Sequence, residues 1–397
     1  MKKKLIILLS ARNLLQQDIF KYDLKKTDNN KIKIEFHSLQ KFIFKNNLFT
    51  YKSKINFKRN LKFQDYKSWK NYFLKVIKEY GSNNIFVINK IVIFNFITLK
   101  INLFLKKMNI QSLSMSNNDQ PVLRQISKIN LILKIKKFFL SPKKFFVFFQ
   151  LKFFNFIENY FNIYDEYFLS FGKASFRRHK KQKIIYGNSE EFNAFLNLKK
   201  KNYLKKIKKK YALFLESPTP MFDGDSKIIG GHKEHDFTIK NWYKSLNIFF
   251  DFLEKRLKIK VFIAPHPKSN HLTDKPNYYF GRKIIKKHIY YSSQNAKLII
   301  TRRSTGISYA VLNKIPTMFI FSNEILNNNI SSVEQQNFFA KKLGKIPINI
   351  DNFNKSKVIS NVFKINLNKY NKYKNSYLTC RKDNITNYDI LENLINN

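Results

Sequence analysis

Short apolar runs alternate with polar stretches of helical spacing through the first 120 residues. Residues 5–9 form an uninterrupted aliphatic run, and 32–36 and 85–88 are further short segments rich in Ile and Phe. Segments of that length and content predict strands. Residues 69–80, between the last two, place apolar side chains at helical spacing and predict a helix. This strand–helix alternation predicts an open parallel sheet. A lysine-rich run at 199–210 interrupts the pattern, which then resumes more regularly. Strands are predicted at 211–215, 261–264, 297–300 and 317–321, and a helix at 305–312. Trp242, Leu246, Phe249, Phe250, Leu253 and Leu257 mark another helix by their spacing. The expected division is an α/β unit over 1–198, a second over 211–325, and a helical extension over 326–397.

Two segments admit a membrane reading. Lys2, Lys3 and Lys4 precede the first apolar run, as in a signal peptide, but the run is too short and Arg12 closes it. A buried first strand is expected there. Other uncharged apolar stretches fall short of the roughly 18 residues a membrane span needs. Across 131–165, Phe138, Phe139, Phe145, Phe146, Phe148, Phe149, Phe153, Phe154, Phe156 and Phe161 are interleaved with Lys134, Lys136, Lys137, Lys143, Lys144 and Lys152, and Pro142 divides the segment. Basic amphipathic helices of that kind suit an anionic membrane interface. The alternative is a helix pair packed on the core.

Composition changes the picture in two ways. The net charge is +49, which points to a phosphate-bearing partner or to codon drift, since Lys, Asn, Ile and Phe all have AT-rich codons. The single cysteine, Cys380, excludes an internal disulfide and a cysteine-based zinc cluster. No Gly-x-Gly-x-x-Gly or Walker sequence occurs, which argues against a P-loop enzyme or an ordinary dinucleotide-binding dehydrogenase.

Candidate chemistry sits where predicted strands end, because open parallel sheets bind ligands beyond the carboxyl ends of their strands. After 211–215 come Glu216-Ser217-Pro218-Thr219-Pro220 and Asp223-Gly224-Asp225. Glu216 and Asp223 are candidates for a general base on an acceptor hydroxyl, against turn chemistry as the plain reading. After 261–264 comes Pro265-His266-Pro267-Lys268. Two prolines frame His266, whose imidazole can donate to a phosphate oxygen, and Lys268 adds charge. After 297–300 comes Thr301-Arg302-Arg303-Ser304-Thr305-Gly306, opening a helix. Its hydroxyls and free N–H groups suit a phosphate, or merely cap the helix. Arg282, after Gly281, fits a phosphate or a carboxylate equally. His232, His235 and His271 share no metal-ligating spacing, so no metal site is expected.

The His-Pro at one strand end, followed about forty residues later by Arg303-Ser304-Thr305 at another, resembles bacterial GT-B glycosyltransferases. The sialyltransferases and polysialyltransferases of surface-polysaccharide synthesis are the nearest group by these motifs. Ile263-Ala264-Pro265-His266-Pro267-Lys268, with Phe280-Gly281-Arg282 and Arg303-Ser304-Thr305, and the stretch from Phe214-Leu215-Glu216 to Asp223 also resemble proteins of surface-polysaccharide clusters, and the resemblance covers roughly residues 211–321. The resemblance implies two Rossmann-like α/β domains facing a cleft, with the acceptor in the N-terminal half. It implies inverting, metal-independent and cofactor-free transfer of a sugar from a nucleotide donor, a CMP-sugar first. His266 is implied at the leaving phosphate, with Pro267, Lys268, Arg282, Arg303, Ser304, Thr305 and Gly306 on the donor. A glycan or glycolipid acceptor is implied, at the inner face of the cytoplasmic membrane, and no nucleic acid. The family's Asp/Glu-Asp/Glu-Gly base motif is missing from the N-terminal half, so Glu216 and Asp223 stand in for it. Alternatives are a polyol-phosphate transferase, a nucleic-acid-binding protein and a non-catalytic assembly factor.

Overall fold

In the computed structural model, residues 4–24, 32–44, 55, 57–115, 121, 142–175, 179–200, 211–217, 237–266 and 277–396 are described. Asp223, Pro267, Lys268, His232, His235 and His271 lie outside them, as do the lysines at 201–210.

Two parallel sheets organise the chain. The first contains β1 (Lys4–Ser10), β2 (Ile32–Ser38), β3 (Asn60–Lys62), β4 (Ile85–Asn89), β5 (Gln111–Met115), β6 (Tyr167–Ser170) and β7 (Lys183–Tyr186), in the order β3-β2-β1-β4-β5-β6-β7. The second contains β8 (Tyr211–Leu215), β9 (Lys260–Ala264), β10 (Ala296–Thr301), β11 (Thr317–Phe321) and β12 (Ile348–Asn349), in the order β12-β11-β10-β8-β9. Every pairing is parallel. Each sheet is doubly wound, so each has one point where the strand order reverses: between β1 and β4 in the first, between β8 and β10 in the second. The fold is therefore a pair of Rossmann-like α/β units.

Helices on both faces explain the unbroken apolar strands. In β1, Leu5, Ile7 and Leu9 point into one core with Trp69, Phe73 and Phe104, while Ile6 and Leu8 point into another with Leu14, Ile19 and Tyr388. The run 5–9 is thus the centre of a sheet. β8 divides likewise, Ala212 and Phe214 to one side, Leu213 and Leu215 to the other. The helix Tyr66–Tyr80 starts at Asp65, whose carboxylate accepts from the Ser68 N–H at 2.8 Å. It buries Trp69, Phe73, Val76 and Tyr80, and ends at Gly81 with φ 79°, a backbone that glycine adopts without strain.

Five strands escaped the sequence reading: β3, β5, β6, β7 and β12. β5 reads Gln-Ser-Leu-Ser-Met and β7 is a largely exposed edge, so neither offers a continuous apolar run. The last helix, Asn387–Asn396, returns to the first sheet. Tyr388 and Leu391 enter its core, and the Asn387 side chain exchanges two 2.8 Å hydrogen bonds with the backbone of Asn188. The helix Glu190–Lys200 bridges the two halves by packing Phe192 and Leu196 against Tyr211 and Leu213 of the second core.

Candidate functional site

Three polar strand ends converge at the carboxyl edge of the second sheet. β8 and its neighbour β9 run in register, Leu215 opposite Ala264. The residues that follow, Glu216 and the Pro265-His266 pair, therefore emerge side by side. Glu216 is only 3% exposed. Its carboxylate accepts from the Tyr243 hydroxyl at 2.8 Å, from the Tyr279 hydroxyl, and from the His266 backbone N–H at 3.3 Å. Burial, and then the nearby carboxylate, hold both phenols well above their ordinary range, so they stay protonated and donate. Glu216 thus fixes the backbone of His266 through side-chain bonds that nothing in the local sequence announces.

β10 lies on the other side of β8, Thr301 opposite Leu215. Thr301 is buried, Arg302 lies over the Phe237 ring at 4.8 Å, and its carbonyl accepts from the Gln336 amide at 2.7 Å. Arg303 is exposed. The Ser304 hydroxyl oxygen accepts the Gly306 N–H at 3.2 Å, closing a turn. The helix begins later than the sequence reading placed it, spanning Ile307–Leu312 with Gly306 at its cap and no side-chain cap bond. A Cβ on Gly306 would lie 3.0 Å from Ile289 and 3.1 Å from Leu215, so a larger residue fits this turn only if those two side chains give way by a few tenths of an ångström.

Of the two partners left open for Arg282, the structure shows the carboxylate. Its guanidinium is 7% exposed, bonded to Asp251, to Glu254 at 3.1 Å and to Asn247 at 2.6 Å, above the Phe250 ring. That places it on the flank of the helix Ile239–Leu257, away from the strand-end cluster.

The first sheet presents a different edge. Beyond β1 and β4, Arg12 pairs with the buried Asp18 at 2.7 Å, and Lys21 reaches Glu190 and Glu191 at 3.0 Å each. Lys90 also meets Glu190, and the Tyr22 hydroxyl donates to it. Burial alone would raise the Glu190 carboxyl, but Lys90 and Lys21 outweigh it and hold it well below the carboxylate range. This network borders the junction of the halves, where the Phe20 ring meets His288 at 5.6 Å and His288 meets Tyr309 at 5.7 Å. Burial, with Lys21 nearby, pushes His288 down to about 4, so it is neutral at pH 7.

Sequence reading missed the acidic groups of the first half, although a signal existed. Only 26 acidic residues occur in the chain, so the adjacent pairs Asp165-Glu166 and Glu190-Glu191 are conspicuous. Neither pair is followed by glycine, so neither matches the expected base motif. Among the described residues, no group of three His, Cys, Asp or Glu could hold a metal ion, and no helix is long and apolar enough to cross a membrane.

No family model and no curated protein matches the chain. Solved structures do resemble it along most of its length. UDP-GlcNAc 2-epimerase from Neisseria meningitidis, bound to UDP-GlcNAc, is 12% identical with a TM-score of 0.47, covering 99% of each chain. The UDP-GlcNAc 2-epimerase of Methanocaldococcus jannaschii is 17% identical with a TM-score of 0.48, covering 99% of this chain and 98% of that one. Acinetobacter baumannii MurG is 9% identical with a TM-score of 0.40, covering 94% of each. At these values the likenesses concern the path of the backbone and carry nothing about chemistry.

Proposed function

We propose that this chain is a glycosyltransferase that takes a sugar from a nucleotide donor held at the carboxyl ends of β8, β9 and β10. The observation that carries this reading is the convergence of His266, Arg303, Ser304 and Thr305 on one sheet edge, at the point where strand order reverses. The donor phosphate would accept from the hydroxyls and guanidinium of the 303–305 turn, while the His266 imidazole donates to the leaving oxygen as negative charge develops there. Glu216 acts in this scheme by holding the His266 backbone rather than as the acceptor's base; its three hydrogen bonds and near-complete burial support that role. Transfer is in-line, inverting and independent of a metal, and a CMP-sugar is the first donor to test. Thermal-shift titration with CMP, CDP, UDP and GDP checks the reading, since a ligand that binds only the folded state raises the midpoint. No shift with any of the four would remove it.

The acceptor is proposed to be membrane-linked. The helix Pro142–Tyr160 buries Phe154 but leaves Phe146, Phe148, Phe149, Phe153 and Phe156 between 45% and 69% exposed, continuous with Phe96 at 64%. Among the described phenylalanines of this helix, packing on the core therefore accounts for Phe154 alone. Lys152 lies beside Phe148, and the whole chain is strongly cationic. An anionic bilayer is the surface that takes both features. The chain is expected to sediment with phosphatidylglycerol-containing vesicles at low salt, less at high salt, and not with neutral vesicles. Equal absence from both kinds would dismiss the idea.

A further inference from the structure

A cavity of about 350 Å³ opens on the first sheet between the helices Phe96–Lys107 and Pro142–Tyr160. Small-molecule pockets start near that size, at about 300 Å³. Asn89 and Lys90 line it, which places its rim at the end of β4, beside the reversal point of this sheet. None of the strand-end residues discussed for the donor belongs to it.

Set among the apolar Ile91, Val92, Ile93, Met115, Ile163 and Phe168, its lining combines three further kinds of group. Buried acid and base come first: the Glu158 carboxylate and His179 Nε2 lie 2.8 Å apart, both side chains 7% exposed. Asp165 is the second carboxylate, accepting from the Asn89 amide at 3.0 Å. Amides come next. Asn89 also donates to Asn102 at 2.8 Å, and Gln182 donates to Ser114 at 2.9 Å and to the Asp165 carbonyl at 3.0 Å. An aromatic wall completes it, the Tyr164 ring stacked on His179 at 5.0 Å and 17°.

That mixture selects against an anion. The one lysine on the rim, Lys90, is already paired with Glu190, and two carboxylates repel a phosphate. It also selects against a purely apolar ligand, which would strip these groups of water without replacing their bonds. A ligand whose every substituent both donates and accepts satisfies all of them, and one with a flat C–H face covers the Tyr164 ring.

We infer that this cavity binds a neutral carbohydrate ring, its hydroxyls donating to Asp165 and to the Glu158–His179 pair, its C–H face against the Tyr164 ring. Assigning that sugar as the transferase acceptor rests on the function proposed above; its binding rests on the cavity alone. Burial raises the Asp165 carboxyl to about 6, with the Asn89 and Ser112 side chains opposing, which leaves it a strong acceptor at neutral pH.

The test uses the full chain and three probes: methyl β-galactopyranoside, methyl β-glucopyranoside and N-acetylglucosamine, titrated by saturation-transfer NMR. At least one probe is expected to bind. Asp165→Asn should weaken it about tenfold, the scale of one charge-assisted hydrogen bond. Glu158→Gln, which keeps the shape of the pair, should weaken it as well. The double variant Ser304→Ala, Thr305→Ala should leave sugar binding unchanged. No binding by any probe to folded protein overturns the inference, as does equal affinity in Asp165→Asn, or loss in the Ser304/Thr305 variant. Nucleotide titration of the same samples separates the two proposals. Sugar binding without nucleotide binding removes the transferase and keeps the cavity; the reverse removes the cavity alone.

Discussion

The polar sites on the two sheets are built on opposite plans. In the second sheet, each polar group stands within five residues of the strand that delivers it: Glu216 after Leu215, His266 after Ala264, Ser304 after Thr301. In the first, the cavity draws Asn89, Glu158, Asp165 and His179 from four separated stretches, and two of its walls are helices. Local delivery leaves a trace in sequence because the strand and its polar terminus are contiguous. Distributed delivery leaves almost none. The two sheets differ electrostatically too: the second exposes Arg303, whereas the first pairs Arg12, Lys21 and Lys90 with Asp18 and Glu190. On this comparison, the second edge is suited to a phosphate and the first to a neutral ring.

Substitutions can break or sharpen that contrast. The largest effect is expected at His266. His266→Ala should lower transfer by about 10²-fold or more, the scale of a lost acid–base group, with an unchanged circular-dichroism spectrum. Near-normal turnover in the folded variant would take the chemistry away from the second edge.

Glu216 comes next, and the expected readout there is stability. Glu216→Ala strands two tyrosine hydroxyls and the His266 N–H in a buried site, so urea unfolding should show a loss of about 3 kcal/mol. Glu216→Gln, which retains one acceptor oxygen, should lose less. Were Glu216→Ala as stable as the parent but inactive, the general-base role would be restored to it.

A smaller effect is expected from the double change Ser304→Ala, Thr305→Ala. Nucleotide affinity should fall by about tenfold, or 1.4 kcal/mol, and more for a nucleotide than for its nucleoside. The helix that follows lacks a side-chain cap bond, so stability should change little. Calorimetric titration decides it: a variant that loses stability while binding the nucleotide normally points to a purely structural turn.

The smallest expected effect is a pH dependence at Asp165. Its carboxyl is raised from 3.8 to about 6 by burial, so the folded protein holds a proton that the unfolded chain has released. The stabilising contribution is full below about pH 4 and is lost as pH rises through about 6. Asp165→Asn removes that dependence. In urea unfolding it should match the parent's stability at pH 4 and exceed it at pH 7 by about 1 kcal/mol, since the partly solvated carboxylate is screened. An identical difference at both pH values would show that the carboxyl titrates normally. The same substitution is expected to weaken sugar binding, which would make Asp165 a group kept for function at a cost in stability.

Much of this architecture was legible in sequence. The central strands were found because burial on both faces forces unbroken apolar runs, and 211–215 and 317–321 coincide with β8 and β11. The helix at 66–80 was found because its buried side follows the helical period. His266 and the 303–306 turn stand out in sequence because prolines fix the backbone around the one and hydroxyls beside free N–H groups suit an anion at the other. Illegible were β5, whose alternate residues are polar, and the edge strands β3, β7 and β12, where exposure removes the need for an apolar run.

The sequence by itself determined that this is a strand–helix repeat with a strongly cationic surface and polar groups at particular strand ends, because each of those properties is carried by neighbouring residues. Only the tertiary structure decided what those groups touch. It turned Arg282 to two carboxylates, bound Glu216 beneath two tyrosines, left Phe146, Phe148, Phe149, Phe153 and Phe156 of the 142–160 helix exposed, and gathered Asp165, Glu158 and His179 around one cavity. The reason is geometric: a side chain's partners are set by strand order and helix packing, which join residues far apart in the chain, and a one-dimensional pattern records periodicity but not proximity.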